Sequence, residues 1–190
     1  MKTKLVLENG TVFAEEPPRN AVEIIGEIVL NTDITGYQEV LTDLSYAGQI
    51  VTMTYPLAGN YGLNSDDYES VKPQVAGIVV KEISKFPSNF RATESFKDCL
   101  IRYNIVGIQN IDTRMLTRII RSVGAIRGII STIDMDEESL LTKVKQSPQM
   151  LGLNLVTCVS TDNPYRWDKV DETQFALKLS VNENYRKEYR

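Results

Sequence analysis

The sequence predicts a mixed α/β domain, and two patterns predict it. Short runs rich in β-branched residues crowd the first 80 positions, and from residue 93 to 146 capped amphipathic helices alternate with short apolar strands. Strands first and alternation later fit a mixed sheet better than a simple doubly wound one. Length agrees with a single domain, placed at 1–180 of the 190 residues. A chain of this size buries roughly 70% of its unfolded surface, enough for a core without staples.

Lys4 to Leu7 and Thr11 to Ala14 are predicted as a hairpin around Asn9-Gly10, a pair that favours a type I′ turn. Glu23 to Leu30 is a longer strand. Gln49 to Tyr55 follows, its Ile50, Val51, Thr52 and Thr54 favouring a strand, and Gly77 to Val80 is a short apolar one. The polar run from Asn31 into the next strand reads as a recognition segment, because strands on either side hold its side chains in place. Gly59 and Gly62 either expose backbone amides to a phosphate or simply form a turn, and the turn is the stronger reading.

Thr93 is the predicted N-cap of a helix through Tyr103, with Glu94 favourable in its first turn. Ile105 to Ile108 is a buried-type strand. Asp112 caps a second helix, TRMLTRIIRSV, that ends at Gly124. Ile126 to Thr132 is a strand, and Asp136 to Gln146 a third helix stopped by Ser147-Pro148. Leu153 to Val159 and Phe175 to Leu179 are predicted as late strands. Residues 181–190, ending NENYRKEYR, have no apolar face and read as a linker.

Composition narrows function. Hydrophobic content of 42% and charged content of 24% are globular values. The net charge of −4 argues against non-specific nucleic-acid binding. No run is long or apolar enough to span a bilayer, and MKTKLVLENG lacks the apolar region of a signal peptide, so a cytoplasmic location is expected. The two cysteines, Cys99 and Cys158, then read as reduced thiols acting as small buried hydrophobes. There is no histidine. Ser–His–Asp and Cys–His nucleophiles and the usual catalytic zinc sites all need one. We therefore expect no catalytic residue and no metal site in this chain; a nucleophile and base for any hydrolysis come from another domain or chain.

In the second helix, Met115, Leu116, Ile119, Ile120 and Val123 form the expected core stripe. Arg114, Arg118 and Arg121, at i, i+4 and i+7, share the other face. Two readings stand: a solvated face, or a docking stripe for an acidic partner or an internal acidic cluster, which guanidinium forks suit.

Five segments together carry a family resemblance: LENGTVF (7–13), GEIVLNTDITGYQEVLTDLSYAGQIVTMTYPLAGNYG (26–62), SNFRATESF (88–96), YNIVGIQNIDTRMLTRIIRSVGAIRGII (103–130) and VSTDNPYRW (159–167). The chain resembles the N-terminal domain of the small, glutamine-hydrolysing subunit of carbamoyl-phosphate synthase. The resemblance implies a swivelling β/β/α domain. It also implies a following glutamine amidotransferase domain with the Cys, His and Glu of its triad, towards which 181–190 leads. By itself this chain is then expected to be inactive. Partners implied are that domain, glutamine and the large subunit, which holds the ATP, metal and bicarbonate sites; no cofactor is expected here. The product implied is carbamoyl phosphate, for arginine and pyrimidine synthesis. The resemblance further makes Ser45, in Thr42-Asp43-Leu44-Ser45-Tyr46, a glutamine-binding residue. Leu44 stands where many members have Pro, which implies a freer loop. The competing reading is a freestanding interaction or scaffold domain of the same fold, and Ser45 as a turn or cap residue.

Overall fold

A computed structural model describes residues 3–15 and 22–166. Nine strands appear in order, β1 (Thr3–Leu7), β2 (Val12–Glu15), β3 (Glu23–Asn31), β4 (Gln49–Met53), β5 (Leu57–Ala58), β6 (Gly77–Val79), β7 (Glu82–Ile83), β8 (Val106–Ile108) and β9 (Ile126–Ser131). The helices are α1 (Tyr37–Thr42), α2 (Phe96–Arg102), α3 (Thr113–Val123), α4 (Glu137–Gln146) and α5 (Val156–Val159), with a 3-10 turn at Leu44–Tyr46. Seven strands form one sheet in the order β2-β1-β9-β3-β4-β6-β8. β3, β4, β6 and β8 run parallel, whereas β9 is antiparallel to both β1 and β3. The predicted mixed α/β class is what the chain adopts.

Strand alternation divides the core between two faces. Leu5, Leu7, Ile28, Ile50, Val79 and Ile130 point to the side that α3 covers with Leu116 and Ile120. Val51, Ile78 and Val80 point the other way, against Tyr37 and Leu41 of α1 and Phe96 and Leu100 of α2. On that same side Val6 and Ile129 meet Leu140 and Val144 of α4. A further clamp fixes α4: Lys143 bonds both Glu23 on β3 (2.9 and 3.0 Å) and Asp134 (2.9 Å).

Several local expectations change. The β1–β2 turn is not type I′. Gly10 has φ +85°, but Asn9 is not in the left-handed region. Gly10 N donates to Leu7 O and Leu7 N to Thr11 O, both at 2.9 Å, so a type I turn precedes a bulge glycine. The Asn9 side chain accepts from Thr11 N (3.0 Å).

The cap of α2 is Ser95, not Thr93. Ser95 Oγ accepts from Asp98 N (3.1 Å), while Thr93 N bonds Leu63 O and its hydroxyl donates there too. An antiparallel bridge between Leu63 and Glu94 holds that stretch extended, so the helix starts later.

The predicted strand over Leu153 to Val159 is instead a coil leading into α5. No described strand pairs with it, and unpaired backbone closes locally: Cys158 N donates to Leu155 O and Ser160 N to Val156 O. Cys99 is fully buried as expected, but Cys158 is exposed on α5. Phe175 to Leu179 and 181–190 lie outside the described residues. Gly59 and Gly62 form a turn, closed by Gly62 N donating to Gly59 O (3.2 Å).

Candidate functional site

The polar run after β3, read from the sequence as a recognition segment, contains a helix, α1, that the sequence reading did not include. Tyr37, Val40 and Leu41 are buried at i, i+3 and i+4, a helical stripe that was legible but short. Its start is set by Gly36, at φ +85°, where a side chain would be strained. The helix ends are satisfied from afar, as buried backbone groups must be. Gly36 N and Tyr37 N both donate to Tyr61 Oη. At the other end Leu41 O accepts from Gln74 N (2.8 Å) and Thr42 O from Ser70 Oγ (2.6 Å).

Side chains add to this anchoring. Tyr37 stacks on Tyr61 with ring centres 4.1 Å apart, meets Phe96 edge-on at 5.1 Å, and donates its hydroxyl to Gly62 O (2.9 Å). Burial pushes the Tyr37 phenol far above its ordinary pKa. Gln38 makes a reciprocal pair with the Asn64 backbone, Nε2 donating to O (2.5 Å) and Oε1 accepting from N (3.0 Å).

Ser45 sits in the turn that follows. Asp43 caps it, Oδ1 accepting from Ser45 N at 2.8 Å. Tyr46 N donates to Asp43 O and Ala47 N to Leu44 O, each at 3.2 Å. The turn is thus closed by its own bonds with Leu44, and no proline, at the preceding position. The Ser45 side chain is exposed, and its hydroxyl has no hydrogen-bond partner among the described residues. Beside it Asn31 Nδ2 donates to Asp33 (2.9 Å) and to Tyr46 Oη (3.3 Å), tying the end of β3 to the turn.

A cleft of about 230 Å³ lies here, lined by Asn31, Asp33, Glu39, Asp43, Tyr46 and Glu69 among others. Sequence reasoning missed Glu39. Burial raises its carboxyl pKa, with the nearby Asp67 and Glu69 charges adding to the rise and its own backbone N–H opposing it. Only the fold brings these acids together. No group of three His, Cys, Asp or Glu among the described residues is arranged to hold a metal ion.

The second predicted feature lies elsewhere, on α3. Asp112 caps the helix, accepting from Met115 N (2.8 Å), and Gly124 ends it, both as predicted. Arg114, Arg118 and Arg121 are all exposed, and none makes an ion pair among the described residues. Among the described residues, no acidic cluster is their partner. The apolar stripe is narrower than predicted. Leu116 and Ile120 are buried and Ile119 is half-buried, but Met115 is 47% and Val123 59% exposed. Met115 lies at the margin of the stripe, and Val123 is the last residue of the helix.

With this arrangement in view, the comparisons with known proteins are decisive. Residues 5–130 match the sequence profile described as carbamoyl-phosphate synthase small chain, CPSase domain. The chain belongs to the carbamoyl-phosphate synthase small chain family. It is similar to the carbamoyl phosphate synthase small chain of Syntrophotalea carbinolica, 52% identical over 88% of this chain and 44% of that protein. The small chain of Thermotoga maritima is 53% identical over 84% of this chain and 41% of its own length. The pyrimidine-specific small chain of Bacillus subtilis is 48% identical over 95% and 50% respectively. The chain thus spans about half or less of each of these relatives. The matched span, 5–130, contains Ser45, every residue lining the cleft and all of α3. No described helix is long and apolar enough to cross a membrane.

Proposed function

We propose that this chain is the N-terminal, non-catalytic domain of a glutamine-hydrolysing carbamoyl-phosphate synthase small subunit, with Ser45 in the wall of the glutamine site. The Ser45 hydroxyl carries this reading. It is exposed and without a partner among the described residues, on a turn whose backbone is committed to internal bonds. A hydroxyl that both donates and accepts matches the charged amino-acid end of glutamine. Holding it on a closed turn lowers the ordering cost of binding.

The hydrolysis itself falls to a following amidotransferase domain with its Cys, His and Glu. The sequence has no histidine, so an imidazole base has to come from outside it. Ammonia released there serves carbamoyl phosphate synthesis on a large subunit, where ATP and metal bind, in the cytoplasm and for the arginine and pyrimidine pathways. Residues 1–190 alone will then show no glutaminase activity. Turnover by the purified chain, lost on mutating Cys99 or Cys158, would overturn that.

The direct test is Ser45→Ala in an intact small subunit assembled with its large subunit. The lost bond to a charged group is worth roughly 1.5–3 kcal/mol. That raises the KM for glutamine about 10- to 100-fold. Contact with the unreacting end of glutamine acts equally in ground and transition states, so kcat stays near its original value. Synthesis from added ammonia is spared. An unchanged glutamine KM reduces Ser45 to a turn residue, and loss of the ammonia-dependent reaction points to misfolding instead.

A further inference from the structure

We propose that the outer face of α3 is a docking surface for a protein that presents carboxylates around an apolar socket. Taking that protein to be the large subunit rests on the function proposed above.

The fold pairs some of its arginines and leaves others unused. Arg91, Arg102 and Arg127 each pair with a carboxylate, to Asp67, Glu94 and Glu8 at 2.6–2.8 Å. Arg114, Arg118 and Arg121 pair with none among the described residues, although the chain carries more acids than bases. They occupy one side of a single helix over about 10 Å of its length. Like charges four residues apart repel each other, so the stripe is a small cost to the isolated helix. Lys81 extends the charge: its ammonium reaches Ile111 O (3.4 Å), just before the first turn of α3.

Met115, about 60° round the helix from Arg118, is 47% exposed beside the stripe. Methionine adapts its shape to an opposing surface, and arginine is the cation most used at protein interfaces. Guanidinium forks bind carboxylates in pairs. Charge complementarity therefore selects an acidic occupant, and the flanking Met115 selects a folded protein over a solvated polyanion. A nucleic acid fits less well. It needs many phosphate contacts, whereas four cations here lie on a chain of net charge −4.

Full-length small subunit and purified large subunit provide the test, with affinity measured at about 50 and about 300 mM salt, where screening differs. Replacing all three arginines by Gln should weaken association by about tenfold or more at low salt and flatten its salt dependence. The triple Arg→Lys variant should keep the salt dependence. Met115→Ser should weaken binding equally at both concentrations. An Arg→Gln triple variant with unchanged affinity and salt dependence overturns the proposal. So does one that melts well below the parent, since the face would then be serving the fold. Arginine-dependent binding to a 20-base-pair DNA duplex, or arginine-dependent self-association, assigns the surface to a different occupant and also overturns it. A parent small subunit that fails to bind the large subunit sinks the proposed function as well. One that binds and supports glutamine-dependent synthesis, with the triple variant indistinguishable, removes only this docking face.

Discussion

The α1 segment with its turn and the outer face of α3 both carry many polar groups, yet the fold treats them oppositely. Around α1 nearly everything polar is tied inward. Tyr37, Gln38 and Thr42 are buried, and each bonds backbone, Tyr37 and Gln38 across 25 or more residues. What is left over among the described residues includes the exposed Ser45 hydroxyl and one buried Glu39 carboxylate oxygen at an acidic cleft. On α3 the fold uses only the buried side, and the three guanidinium groups are left over together. A polar group committed internally answers to stability, and one left over is available to a ligand or a partner. The first region leaves positioned contacts suited to a small molecule, the second a broad charged face suited to a protein.

Substitutions can break this contrast. The largest effect should come from the buried side of α3. Leu116 is fully buried, and Leu116→Ala should cost about 2–5 kcal/mol in denaturant unfolding. A loss under about 1 kcal/mol would mean that α3 contributes little to the core, undoing the division between its two sides.

Tyr37→Phe comes next. It removes a donor to Gly62 O and an acceptor for Tyr61 N, in a buried setting. We expect a loss of about 1–3 kcal/mol. A neutral result would show that the anchoring of α1 rests on stacking alone.

Lys143→Ala sharpens the contrast from the side of a paired cation, with a smaller drop in melting temperature. The Ser139 hydroxyl and then Lys143 hold Asp134 down to about 2, from an ordinary value of 3.8. A depressed carboxylate stabilises the fold above its unfolded value and loses that contribution as pH falls towards the folded one. The melting-temperature gap between parent and variant should therefore be full near neutral pH and shrink between about pH 4 and 2. The Lys143 ammonium is raised by its bonds to Glu23 and Asp134, so its contribution persists at neutral pH and is lost only as pH rises through its folded pKa. A gap that is constant from pH 7 to about 2.5 would show that Asp134 and Lys143 are not coupled in solution.

The smallest stability effects belong to the leftover groups. Ser45→Ala and the α3 triple Arg→Gln variant should each unfold within about 0.5 kcal/mol of the parent. Large destabilisation by either, in thermal or urea melts, would collapse the distinction between the two classes of polar group.

Much of this was legible in the sequence, and the exceptions have a common cause. Asp112, Asp136 and Gly124 mark helix ends by chemistry that acts within three or four residues, and the structure has them where expected. The strands from Glu23, Gln49, Gly77 and Ile126 were equally readable from β-branched runs. Ser45 was found through the likeness of its surrounding segment, not through its own chemistry. Errors came where a distant partner decided the outcome. Leu63 pulls Thr93 into an extended pairing and shifts the helix cap to Ser95. The predicted strand at Leu153 found no described strand to pair with.

The sequence by itself determined the class of fold, the order of its longer strands and of α2, α3 and α4, the absence of an imidazole and the family. Tertiary structure alone decided which groups remain for function. Lys143 finds its partner Glu23 across 120 residues, while Arg118 finds none among the described residues. Both are cations on amphipathic helices, and no local pattern distinguishes them. Charge pairing depends on distance in space, and the sheet sets that distance by bringing β3 and β9 together beside α4 while leaving α3's outer side facing away from every strand.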